Sequence, residues 1–241
     1  MIDLRLTCQG CGKDGLERLL DLGLQPLCNE FLPVDNGPMP QTFYPLCLCF
    51  CHECSLAQLD YIIPTDVTFG DQYTYLTGSS KSLIDYFSHL ASKLVDRYEL
   101  VKGDAVLDIG SNDGTFLKEF QALGLNVLGV EGSKQPRDLA KRAGIPTLDR
   151  FFGAGIATDI RKGLPTGENL HLITAMNVLA HTDNINSFLD EVTKLMGPDT
   201  TLVSQSHWLM ALVRKFEFDT IYHEHLRYYT LESLIRLFEP H

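Results

Sequence analysis

With 241 residues, 44% of them hydrophobic and 21% charged, the chain has the composition of a soluble globular protein and the length for one α/β domain plus a smaller companion. Its net charge of −11, with no cluster of Lys and Arg able to neutralise successive phosphates, argues against a nucleic-acid partner. The start lacks a basic segment followed by an apolar one, and no run stays apolar for about 18 residues, so a cytoplasmic protein without a membrane span is expected.

Residues 1–75 read as short apolar runs broken by Pro26, Pro33, Pro38, Pro40, Pro45 and Pro64, which suits small strands and loops. All seven cysteines lie here, at 8, 11, 28, 47, 49, 51 and 54. Such a skew in a reducing compartment points to metal before disulfides. Cys8-Gln9-Gly10-Cys11 and Cys51-His52-Glu53-Cys54 are two CxxC knuckles. Paired knuckles let four thiolates close a tetrahedral shell around Zn2+, so Cys8, Cys11, Cys51 and Cys54 are the expected ligands of a structural zinc. Cys47 and Cys49 alternate with Leu46, Leu48 and Phe50 as on a strand and are expected in the core, and Cys28 is expected simply to pack.

A linker region, 76–102, follows, in which Ser82 to Val95 places apolar residues at three- and four-residue steps and predicts an amphipathic helix. From 103 to 207 strands and helices alternate. Strands are expected at 105–109, 127–130, 170–173 and 201–203, with a short piece at 145–148, and helices at 116–120, 136–142 and 185–196. That alternation implies a doubly wound, mostly parallel sheet with helices on both faces.

Within it, Val106-Leu107-Asp108-Ile109-Gly110-Ser111-Asn112-Asp113-Gly114-Thr115-Phe116 runs from an apolar strand through a Gly-rich turn into a helix, where backbone can approach a ligand closely. Gly110 and Gly114 are four apart with Asp108 ahead of them, unlike the GxGxxG of dinucleotide binders. The turn resembles the first motif of class I methyltransferases, and the resemblance implies that Asp108, Gly110, Ser111, Asn112 and Gly114 form part of an S-adenosylmethionine site. Glu131 ends the next strand, where an acid can accept both ribose hydroxyls. Asn177 closes Ile173-Thr174-Ala175-Met176 at the carboxyl edge of a third strand, and it and His181 are expected to face the methyl donor. The strand opens Leu170-His171-Leu172, where class I members more often carry Asp.

Residues 208–241 contain Tyr222-His223-Glu224-His225, four hydrogen-bonding side chains in succession. A helical zinc-protease motif is excluded because the position four after His223 is Arg227. Such side chains are hard to bury without a task. Taken with the leading CxxC, Tyr44-Pro45-Leu46 through Cys54, Leu56-Ala57-Gln58-Leu59, Tyr73 to Ser80, and Asn177-Val178-Leu179-Ala180-His181, nearly the whole chain resembles the C-methyltransferases of nucleotide-linked ketosugars, which carry an amino-terminal zinc-binding domain. The resemblance implies His225 as general base, with Tyr222, Glu224 and Tyr75 in the active site and a nucleotide-linked sugar as substrate. In chemical terms a base near neutrality removes a proton α to a carbonyl, Tyr222 and His181 are donors to the enolate oxygen, and Glu224 holds the imidazole tautomer.

The family resembled usually continues into a further carboxyl-terminal α/β half, so the expectation is either a truncated form or fragment of such a protein, or a partner chain that supplies that half. Two other readings stand beside this one: O- or N-methylation of another small molecule, and a non-catalytic protein that retains S-adenosylmethionine as a ligand.

Overall fold

The computed structural model describes residues 7–32, 40–70, 73–164 and 170–241. Of the prolines noted above, Pro33 and Pro38 lie outside them. The chain forms two compact units that are interleaved in sequence: residues 1–68, 179–186 and 206–241 make up one, and 69–178 with 187–205 the other.

The first unit is built on an antiparallel sheet. Strands β1 (Glu17–Pro26), β2 (Phe43–Cys51) and β3 (Leu56–Leu59) are followed in space by the two-residue strand Arg227–Tyr228, which pairs Ala57 with Tyr228 and Gln58 with Arg227. Side chains alternate across a strand, so Leu46 and Leu48 of β2 enter a core with Ala57, Leu59, Leu226 and Tyr228, while Cys47, Cys49 and Cys51 share the other face. This pairing explains why the carboxyl-terminal stretch folds with the cysteine module and not as a separate region after residue 207. A short helix α1 (Thr65–Thr68) follows β3.

The second unit starts with helix α2 (Lys81–Arg97) and continues β4 (Ala105–Ile109), α3 (Thr115–Ala122), β5 (Asn126–Val130), α4 (Lys134–Arg142), β6 (Thr147–Leu148), α5 (Ile156–Gly163), β7 (Leu170–Met176), α6 (Ile185–Leu195) and β8 (Thr201–Gln205). The five strands are parallel in the order β6-β5-β4-β7-β8. Both faces are covered, and every residue of β4 is buried, as a parallel sheet between helices requires. The predicted linker helix belongs to this core. Phe87, Ala91 and Leu94 of α2 are buried, and the Phe87 ring lies 4.7 Å from Phe116 of α3. Burying the Phe87 and Leu94 side chains contributes roughly 1.5–3 kcal/mol each.

Strand order reverses on either side of β4, since β5 and β6 extend one way and β7 and β8 the other. A crevice for ligand therefore opens at the carboxyl ends of β4 and β7. Helix α5, which the sequence pattern did not disclose, buries Ile156, Ala157 and Ile160. The chain closes with α7 (Leu209–Lys215) and α8 (Leu231–Phe238), the latter begun by a capping box in which Ser233 N–H donates to Thr230 Oγ1 at 3.0 Å.

Candidate functional site: a four-cysteine centre, a donor turn and an imidazole cluster

The two knuckles meet. One sulfur from each of Cys8, Cys11, Cys51 and Cys54 lies within 4.8 Å of the others, with Cys8 and Cys54 Sγ 3.5 Å apart and Cys11 and Cys51 3.6 Å apart. The Cys8 thiol is pulled down to about 5 by the hydrogen bond from Cys54, and the Cys54 thiol is pushed up by the same contact. The four sulfurs stand close enough to hold one ion. A divalent cation in their place would deprotonate all four and occupy a closed tetrahedral shell, so the donor set fits structural zinc.

The turn after β4 is held by its own side chains. Gly110 adopts φ +67°, and a Cβ there would stand 2.7 Å from Val178 Cγ2, so only glycine serves. Asn112, at φ +52°, is tied three ways: its N–H donates to Glu131 Oε2 at 3.0 Å, its Nδ2 to the Tyr75 carbonyl at 3.1 Å, and its Oδ1 accepts from Thr77 N–H at 2.9 Å. Asp113 Oδ2 accepts from Gly78 N–H at 2.8 Å, and Oδ1 accepts from Thr115. A side chain at position 78 would collide with Asp113 and Thr115, both 2.8 Å from its Cβ. The segment 75–78 is in this way laced to the turn, and with it Tyr75, whose ring is half exposed. Asp113, Thr77 and Gly78 were missed in the sequence, although a lone Gly beside Tyr75 and an acid inside the turn were visible there.

Glu131 is buried, and its Oε1 accepts from Ser133 N–H at 2.6 Å. Burial raises its pKa against those two N–H donors, and each oxygen keeps a lone pair for a hydroxyl. Asp108 is turned inward: Thr174 Oγ1 donates to it at 2.6 Å, and burial pushes it up to about 7. Ser111 Oγ is buried without a partner among the described residues, an unusual cost unless a ligand supplies one. Asn177 at φ +56° ends β7 with its N–H on the Gln205 carbonyl, 2.8 Å, and an exposed side chain. The left-handed turns, the free acceptor capacity of Glu131 and the orphaned Ser111 hydroxyl fit the aminocarboxylate and ribose of S-adenosylmethionine.

In the first unit three imidazoles and a phenol converge. The His225 ring lies 5.0 Å from His181, 4.6 Å from His207 and 4.2 Å from Tyr222. Its Nδ1 is 2.9 Å from the Thr220 carbonyl and its Nε2 3.0 Å from Tyr222 Oη. A carbonyl only accepts, so the hydrogen sits on Nδ1 and the lone pair on Nε2, toward which the Tyr222 hydroxyl donates. Burial lowers His225 to about 4 and His181 to about 3, and it lowers His207 as well. All three are neutral near pH 7. The tautomer is therefore set by Thr220 and not by Glu224, whose carboxylate instead accepts from Asn29 Nδ2 at 2.5 Å and faces the Cys28 thiol at 3.5 Å. Cys28 thus does more than pack.

His223 points away, its Nε2 3.2 Å from the Pro45 carbonyl. His207 was not singled out in the sequence, yet it follows the carboxyl end of β8 just as Asn177 follows β7. Its Nε2 is buried with no partner among the described residues. Arg227, fully buried, donates to the carbonyls of Leu179 and Thr182, to Tyr229 Oη and to Gln9 Oε1. It thereby joins the loop carrying His181 to the first knuckle, and Asn186 Nδ2 reinforces the join through the Gln9 carbonyl at 3.1 Å.

An open parallel sheet reversing at β4, with a glycine turn and a terminal acid on adjacent strands, defines an S-adenosylmethionine-dependent methyltransferase fold of class I. The chain belongs to the methyltransferase-domain family: residues 83–241 match the profile described as "Methyltransferase domain", and residues 8–69 match "Putative zinc binding domain". It is 32% identical over 236 residues to the C-methyltransferase NovU of Streptomyces niveus, covering 97% of this chain and 55% of that protein, so it spans about half of this curated relative. Two solved structures share the fold. One is a chain of the "Complex between the Haloferax volcanii Trm112 methyltransferase activator and the putative methyltransferase", with a TM-score of 0.53, 18% identity, and 68% of this chain and 71% of that one covered. The other is the PH0226 protein of Pyrococcus horikoshii, with a TM-score of 0.52, 15% identity, and 69% and 85% covered. Among the described residues no helix is long and apolar enough to cross a membrane.

Proposed function

We propose that the chain catalyses S-adenosylmethionine-dependent C-methylation of a nucleotide-linked ketosugar through an enolate generated by His225. The observation that carries this reading is the His225 imidazole, neutral, with Nδ1–H anchored on Thr220 and its Nε2 lone pair accepting from Tyr222 O–H, a contact that substrate would displace by drawing that hydroxyl to its own oxygen. Similarity to a C-methyltransferase along nearly the whole chain supports the carbon acceptor.

A carbon nucleophile requires loss of a proton α to the carbonyl. His225 Nε2 takes that proton, becoming imidazolium, while Nδ1–H stays on Thr220. Negative charge develops on the carbonyl oxygen, for which Tyr222 O–H, His181 and the partnerless His207 Nε2 are the available groups. Glu131 and the turn from Gly110 to Gly114 hold the donor, with Asn177 beside them and Tyr75 on the segment laced to the turn. When bound, S-adenosylmethionine supplies a methyl group on a sulfonium, whose transfer leaves a neutral thioether.

The test is a mass-spectrometric screen of nucleotide ketosugars with S-adenosylmethionine in deuterated buffer. Gain of a methyl group at carbon, accompanied by solvent deuterium at the α-carbon of ketosugar not yet methylated, is expected. Methylation without exchange would favour an oxygen or nitrogen acceptor. Stoichiometric S-adenosylhomocysteine binding without turnover of any ketosugar would favour a non-catalytic role.

A further inference from the structure

Cys47 and Cys49 are two residues apart on one face of β2, and β3 delivers Asp60 to the same face. Leu48 pairs with Leu59, and the Asp60 N–H donates to the Cys47 carbonyl at 3.2 Å. The two sulfurs and a carboxylate oxygen lie within 4.8 Å of one another, and the residues are 1%, 2% and 4% exposed. Asp60 Oδ1 is buried without a hydrogen-bond partner among the described residues, while Oδ2 meets Arg18 only at 3.4 Å. Arg18 Nε donates to Cys47 Sγ at 3.2 Å. A carboxylate this deeply buried is costly with one oxygen unsatisfied, and the free oxygen stands beside two thiols that the four-cysteine centre does not use.

We propose that Cys47 Sγ, Cys49 Sγ and Asp60 Oδ1 form a second metal site, distinct from the four-cysteine centre, that takes a thiophilic divalent cation of the zinc class. Charge supports the assignment: two thiolates and a carboxylate carry three negative charges, which the Arg18 guanidinium, shared with Asp21, does not balance and a divalent ion largely does. Thiolate ligands select such an ion over magnesium or calcium. Arg18 and Asp21, opposite Cys49 and Cys47 in the β1–β2 register, have side chains 57% exposed and form the open side of the site. Three protein ligands leave the fourth position to water, so this ion exchanges faster than one in a closed four-thiolate shell.

The experiment counts zinc bound per chain after equilibrium dialysis under reducing conditions, and repeats the titration with Co2+ to read the sulfur-to-metal absorption. Wild type should bind two equivalents, the second with the weaker charge-transfer band of two thiolates. Cys47→Ala/Cys49→Ala should bind one, with the four-thiolate band retained. Asp60→Asn, which keeps the side-chain shape, should release the second zinc at least tenfold faster. Saturation of wild type at one equivalent overturns the proposal, whether or not the double variant folds. Retention of two equivalents by a folded double variant overturns it as well.

Discussion

The backbone N–H of Asn112 donates to Glu131 Oε2 across 3.0 Å, joining the turn after β4 to the end of β5. One carboxylate thus shapes the glycine turn and offers its remaining lone pairs to a ligand.

Glu131→Gln keeps an acceptor oxygen but loses the charge. S-adenosylhomocysteine affinity measured by calorimetry should fall about tenfold or more, the consequence of losing roughly 1.5–3 kcal/mol of charge-assisted hydrogen bonding. Glu131→Ala should weaken binding further and also lower stability, because the Asn112 and Ser133 N–H groups lose their acceptor. Unchanged affinity in the Gln variant would remove Glu131 from the site.

Zinc removal should unfold the first unit before the second, because metal binding energy at a four-thiolate centre is folding energy. Hydrogen exchange after chelation is the measurement. Protection should vanish in β2 and β3 and in the 179–186 loop, which Gln9, Asn186 and Arg227 fasten to the first knuckle, and persist in β4 and β7. Uniform loss across both units would contradict this order.

Arg227→Met deletes five hydrogen bonds in a buried setting and takes a donor from the Thr182 carbonyl and the Gln9 amide oxygen, while the Leu179 carbonyl keeps the Tyr229 hydroxyl at 3.0 Å. Denaturation should show a loss of about 3 kcal/mol or more. Arg227→Lys retains charge without the planar fork and should recover only part of it. Full recovery would mean that charge alone matters at this position.

His225 is held below its ordinary 6.5, at about 4, by burial. Between those values the unfolded chain binds a proton that the folded chain does not, so this group costs stability on acidification, and its neutral form is fully tolerated above pH 6.5. Raised carboxyl groups such as Asp108 titrate in the opposite sense but are common to a His225→Asn variant. Wild type should therefore lose stability faster than His225→Asn between pH 7.5 and 5 in parallel urea titrations. Equal losses would mean that His225 protonates normally in the folded state.

Much of this was legible in residue spacing. Paired CxxC motifs prefigure the sulfur tetrad, and the step from Asp108 through Gly114 to Glu131 prefigures the crevice, since strand ends in a parallel sheet are fixed by the pattern itself. Contacts between distant segments were not legible. Nothing local says that Thr220, five residues before His225, supplies the carbonyl that sets its tautomer, or that Arg227 reaches Gln9. Helix α5 escaped notice because its eight residues make barely two turns, too short a stretch for an apolar period to stand out from the flanking loops. The interleaving of the two units follows from the pairing of Arg227–Tyr228 with β3, a long-range register that periodicity does not encode.

The base assignment separates from all of these by the step it controls. If His225 Nε2 removes the α-proton, His225→Asn should leave S-adenosylhomocysteine affinity nearly unaltered, because the imidazole cluster and the donor turn share no residue. Methyl transfer should fall roughly 10²–10⁴-fold, the usual contribution of one positioned acid–base group. Exchange of the acceptor's α-proton with deuterated solvent should fall in parallel, since that exchange needs the base and not the methyl donor. His207→Asn should lower transfer and exchange together, though less than His225→Asn, if its imidazole serves the enolate oxygen, because charge builds on that oxygen as the α-proton leaves. His223→Asn, which loses contacts to the Pro45 carbonyl and the Tyr44 ring, should cost stability more than rate. Exchange persisting at the wild-type rate in folded, cofactor-binding His225→Asn protein would transfer the role of base to His181 or Tyr222.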